Sequence, residues 1–168
     1  MYYVRKIKNS NLYKIKDCDS CDLIAADVLK QECSTTSNTL SFWKCDNLDD
    51  MEDTIIAILL STTSIETTQF IIINDEQLNK FQIDTDDSEP GKTGYSGFEH
   101  LHVNLCNLTY GKIGALLSIY KESSDRSELA PKLQKQDVKK YISEAKHKGL
   151  INEELTNPDL LKDINKYC

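Results

Sequence analysis

Read from its amino terminus, the chain shows two alternating periods of apolar and polar positions. YYVRKI, rich in Tyr, Val and Ile, alternates with a period of two and predicts a first strand over residues 2–8. From Ser20 or Asp22, either able to cap a helix, the positions Leu23, Ile24, Ala26, Val28 and Leu29 form a partial stripe running to Glu32. The polar run STTSN ends it. NTLSFWKC sets Leu40 and Phe42 against Thr39, Ser41 and Trp43, a second strand. DNLDDMEDTIIAILLSTT reads as a helix, apolar over 51–61, with acids in its first turn where they suit the macrodipole. QFIIIND is continuously apolar, as in a strand covered on both faces.

Strand, helix, strand, helix, strand predicts an α/β fold with a mixed or mostly parallel sheet of three to five strands, centred on residues 70–74 and flanked by helices. The segment FQIDTDDSEPGKTGYSG, dense in Asp, Ser, Pro and Gly, reads as a long functional or mobile loop. EHLHVNL follows as a short edge strand. A helix over 109–121 is capped by Thr109 and loosened by Gly111 and Gly114. Two further helices, QDVKKYISEAKHKG and NPDLLKDINKY, carry the start and stop signals Asp137, Gly149 and Pro158. The division is an α/β body over 1–125 and a helical C-terminal appendage over 126–168, packed on the same single domain and joined through SSDRSELAPKLQ.

Charge changes this picture most. The formal net charge is −7 over 168 residues, and it is unevenly placed. Residues 1–16 carry five bases and no acid, whereas 17–53 carry ten acids against two bases and 66–99 carry eight against two. Residues 111–148 reverse to nine bases against five acids. An acidic first half steers basic partners toward it and repels nucleic-acid phosphate. The longest apolar run, Ile55 to Leu60, falls far short of a membrane span, and MYYVRKIKNS has no signal-type apolar region. Six cysteines in that setting read as reduced thiols in a cytoplasm, and the many Lys, Asn and Ile residues suggest an AT-rich genome; a bacterial or phage system is the expected setting.

Candidate chemistry centres on KDCDSCD, with Cys18 and Cys21 at C-x-x-C spacing. A redox pair needs a stabilised thiolate, which Asp17, Asp19 and Asp22 oppose. Zinc tolerates acids better, and His100 and His102 offer a second pair on an extended segment. Cys33 and Cys45 fit no usual half-site. The competing reading, ordinary buried thiols with no cofactor, carries more weight. Glu99, His100, His102 and Cys106 lack the turn that presents a nucleophile, so no catalytic residue is assigned. GKT at 91–93 resembles the end of a phosphate loop, but Asp86 stands where that loop needs its first glycine. The basic stretch Lys132 to Lys148, with Tyr141, is interleaved with Asp137 and Glu144 and suits a solvated helix better than a nucleic-acid face.

The expected function is a non-enzymatic, acidic protein-interaction module: an accessory subunit, or an inhibitor or immunity-type partner of a basic protein. The expected contact residues are Asp84, Asp86, Asp87 and Glu89, with Tyr95 and Phe98 as aromatic anchors, and the segment Asp46 to Asp53 as a second acidic patch. A zinc- or thiol-dependent protein using Cys18, Cys21, His100 and His102 is the first alternative, and a nucleic-acid accessory factor acting through the C-terminal helices is the second. No membrane partner is expected.

Overall fold

The computed structural model describes all residues from Met1 to Cys168. Six strands form one sheet: β1 (Tyr2–Ile7), β2 (Leu40–Cys45), β3 (Thr68–Asn74), β4 (Asp84–Asp86), β5 (His102–Cys106) and β6 (Lys132–Leu133). Seven helices accompany it: α1 (Asn9–Lys16), α2 (Ala26–Glu32), α3 (Glu52–Leu59), α4 (Asp75–Lys80), α5 (Tyr110–Ser124), α6 (Lys135–His147) and α7 (Pro158–Tyr167). The strand order is β4-β5-β2-β1-β3-β6, and every neighbouring pair is antiparallel.

The α/β class is therefore as expected, but the mostly parallel sheet of three to five strands is not what forms. The alternation of strands and helices was the signal for parallel pairing, whereas the apolar run in β3 signalled cover on both faces, which it has. β2 and β3 do run in the same direction, joined by the α3 crossover, but β1 lies between them and pairs antiparallel with both. What makes every residue from Thr68 to Ile73 buried is the presence of helices on both faces of the sheet.

Those faces form two separate cores of equal size. On one side Tyr3, Ile7, Phe42, Ile71 and Ile73 meet Leu12 and Ile15 of α1, Val28 of α2, and Leu116, Leu117 and Tyr120 of α5. On the other, Val4, Trp43, Phe70 and Ile72 meet α3 from Ile55 to Leu59, then Val138 and Ile142 of α6 and Leu160 and Ile164 of α7. Trp43 thus points into a second core and not outward to solvent, which a half-exposed strand would require.

Several elements depart from expectation. The helix expected from Ser20 to Glu32 is broken: Ser20 caps only a single 3-10 turn, Cys21–Leu23, and Ile24 is extended before α2 begins. α1 was not expected, because NSNLYKIK presents only Leu12 and Ile15, with Asn11, as its buried stripe. β5 is not an edge strand, since β4 pairs with it along Asp84–Cys106 to Asp86–Asn104. The C-terminal signals are in place: Thr109 caps α5, Pro158 opens α7, and Gly149 takes φ 68 just beyond α6.

Candidate functional site

The second acidic stretch is organised by a turn. Asn47 Oδ1 accepts from the Asp50 amide at 2.9 Å, and Glu52 and Asp53 then open α3 with their charges at its positive end. Thr54 Oγ1 donates to the Lys44 carbonyl at 2.8 Å, holding the helix start against the end of β2. These bonds leave Asp46, Asp50 and Asp53 around one depression of about 350 Å³, with Phe98 and Leu101 as apolar wall; Lys44, paired with Asp87, and Met1, whose ammonium is paired with Asp75, also line it. The neighbouring Cys45 thiol is pushed up to about 11 by burial, reinforced by Asp46, so it stays protonated at neutral pH and is a poor nucleophile.

Asp84, Asp86, Asp87 and Glu89 are all exposed along β4 and the turn after it. Three of them are already engaged. Asp84 accepts from Asn107 at 3.2 Å and pairs with Lys112 at 3.4 Å, Asp86 accepts from the Ser88 amide at 2.9 Å, and Asp87 pairs with Lys44. Hydrogen bonds from Asn107, Ser88 and Lys44 respectively lead in holding these three carboxyls below the usual range. Because Lys44 also lines the depression, its bond to Asp87 links the second acidic stretch to the far end of the first, whose Asp84 and Asp86 lie level with the start of β2.

The aromatic anchors do not stand free. Tyr95 is buried, stacked on Phe98 at 4.0 Å between ring centres, and its hydroxyl donates to Asp53 at 2.8 Å. Burial first, and Asp53 second, raise the Tyr95 hydroxyl pKa. The chain around it is stitched down: Thr93 Oγ1 donates to the Ala57 carbonyl at 2.7 Å, the Gly94 amide to Leu60, and the Ser96 amide to Leu150. The expectation of Tyr95 as an exposed anchor on a mobile loop is corrected accordingly. Gly91 is not there for looseness, because a Cβ on it would lie 2.6 Å from both Trp43 and His102. Half-buried Phe98 remains able to touch a ligand in the depression.

The metal candidates stay apart. Cys18 Sγ donates to the Lys14 carbonyl, and Cys21 Sγ accepts from Ser118 of α5 at 3.2 Å, on the α1–α5 side. His102 lies edge-on to Trp43 at 5.5 Å and contacts the Glu89 carbonyl through Nδ1, whereas His100 contacts the Gly97 carbonyl. No group of three or more His, Cys, Asp or Glu side chains is arranged to hold a metal ion. Cys33 is pushed up to about 12 by burial, and all six cysteines are unpaired. Glu99 and Cys106 sit at opposite ends of the segment running from Glu99 through β5.

Comparison with known proteins finds no family whose pattern the chain matches, no curated protein similar in sequence and no solved structure similar in fold. No helix is long and apolar enough to cross a membrane.

Proposed function

We propose that the chain is a small acidic interaction module that binds a basic protein in a bacterial or phage cytoplasm, as an accessory subunit or an inhibitor or immunity-type partner. The observation that carries this reading is the depression lined by Asp46, Asp50 and Asp53 and walled by Phe98 and Leu101, which the Lys44–Asp87 pair links to the other acidic stretch. An Arg or Lys side chain of the partner fits that chemistry: methylenes lie along the apolar wall and the charged head meets carboxylates. Glu89 and the exposed edges of Asp84, Asp86 and Asp87 then form a charged rim that speeds encounter. Six unpaired thiols support a reducing compartment.

The test begins with recovery of the partner from the native host. Its association rate is then measured with Asp46→Asn/Asp50→Asn and, separately, with Asp84, Asp86 and Asp87→Asn plus Glu89→Gln. Both sets are expected to slow association at low salt and to matter less at high salt. Rates unchanged by either set remove the acidic stretches from the interface.

A second reading rests on Tyr167, whose half-exposed ring is approached by Lys139 at 4.4 Å, Lys166 at 4.8 Å and Lys135 at 5.7 Å. None of these lysines is among the ion pairs, so an aromatic face ringed by free cations suits a single-stranded nucleic acid. Oligonucleotide anisotropy that is lost in Tyr167→Ala favours this reading over the first.

A further inference from the structure

The sheet is not continuous at its centre. β1 and β2 are paired only at Tyr2–Cys45, Tyr3–Lys44 and Val4–Trp43. Beyond that point β1 continues against β3 as far as Ile7–Gln69, and β2 continues against β5 back to Leu40–Leu105. The two strands therefore diverge, and Arg5 reaches across the gap to donate from Nη1 to the Ser41 carbonyl at 2.6 Å. A cavity of about 420 Å³ occupies the fork. It takes lining residues from both sides of the sheet, Arg5 and Glu32 from the α1–α2 side and Trp43, Ile58 and Ser61 from the α3 side.

Its charge opposes that of the whole chain. Arg5 and Lys8 appear in no ion pair, and Lys8 Nζ donates only to neutral Gln31 at 3.1 Å; Lys6 is paired with Glu66. The one carboxylate in the lining, Glu32, is buried, and its Oε1 already accepts from Asn11 Nδ2 and the Lys8 amide. Arg5 Nε is a buried donor without a partner. The hydroxyl protons nearby are engaged: Ser61 donates to Ile58, Thr62 to Leu59 and Ser41 to Asn104. Their oxygens are left as acceptors, which suit hydroxyl groups and not a phosphate. A second cavity of about 450 Å³ shares Ser41, Trp43 and Ser61 and continues to Asn104, His102 and Lys92, with Glu89 on its rim.

We propose that this fork binds a hydroxylated phosphate ester of sugar-phosphate type. The phosphate lies between the Arg5 and Lys8 heads, and the ligand hydroxyls donate to the oxygens of Ser41, Ser61 and Thr62. None of the acidic contact residues lines the fork itself, and only Glu89 reaches the adjoining cavity, so either reading survives failure of the other. The test is calorimetric titration of the intact chain at low ionic strength with ribose 5-phosphate, and with ribose and inorganic phosphate alone. Ribose 5-phosphate is expected to bind at millimolar concentration or below, at least about tenfold more tightly than either fragment. Arg5→Gln is expected to weaken it about tenfold or more, and so is Ser61→Asp, which puts a negative charge at an exposed position. Lys121→Gln, on α5 and outside the cavity, is expected to leave it unchanged. Thermal unfolding checks that each variant folds; if Arg5→Gln does not, Ser61→Asp and Lys8→Gln decide the matter. No binding of ribose 5-phosphate, binding untouched by these substitutions, or binding of an oligonucleotide alone overturns the proposal.

Discussion

At Gly94 an added Cβ would lie 2.1 Å from Thr156 Oγ1, well inside any real contact. The residue is fully enclosed because its amide donates to Leu60 and its carbonyl accepts from Asn152, so neither side of it has room to retreat. Gly94→Ala is expected to destabilise the fold by about 1–3 kcal/mol through overpacking. Thr156→Ala in the same chain should recover much of that loss, because it removes the atom in the way. Denaturant midpoints of the two single variants and the double variant check this; additive losses would refute the contact as the cause. The residue scale is also where sequence reading was weakest. Gly91, Gly94 and Tyr95 stand among Asp, Ser and Pro, and composition alone makes such a stretch look solvated. Nothing local reveals that α3 and the segment after α6 close over it.

α5 offers the opposite case among the elements. Gly111 and Gly114 lie in its first turns, and an added Cβ at either meets nothing within 4 Å. Replacing each by Ala should therefore stabilise the protein by about 0.5–1 kcal/mol, since Ala costs less backbone entropy in a helix. The thermal midpoints of Gly111→Ala and Gly114→Ala should rise, and a fall in either would mean that the bare backbone there serves contacts outside the chain. Elements with strong periodicity or strong punctuation were legible: β1, β2, β3, α3, α5, α6 and α7 all form near their expected places. Short elements were not. α4 and β4 have six and three residues, too few for a periodic signal, and α1 buries only Asn11, Leu12 and Ile15 of its eight, unlike the apolar α3 of the same length; their formation depends on tertiary cover. Pairing direction was illegible for a different reason. Burial on both faces records the two helical layers and carries no information on which strand lies alongside. The acidic stretches were visible as charge runs, but their link through Lys44 depends on strand order.

For the molecule as a whole, the two cores set its response to alkali. Burial raises the pKa of Cys33 to about 12 and of Cys45 to about 11, and raises those of Tyr3, Tyr95 and Tyr120 as well. In the unfolded chain these groups release protons at their ordinary values, roughly pH 8.5 for Cys and 10 for Tyr. Between those values and the raised ones the folded state holds more protons than the unfolded state, so stability falls as pH rises. The unfolding free energy should thus decline steadily from about pH 9 upward, and Cys33→Val should flatten the early part of that decline. A curve unchanged from pH 8 to pH 11 would contradict the burial of these groups. The placing of β1 between β2 and β3 has a consequence for biosynthesis. β1 is made before both of its partners, and its full-length partner is β3, which ends at Asn74. Until then the growing chain carries a strand with one edge and much of its apolar faces uncovered, and the centre of the sheet closes only after most of the first half of the chain has been made.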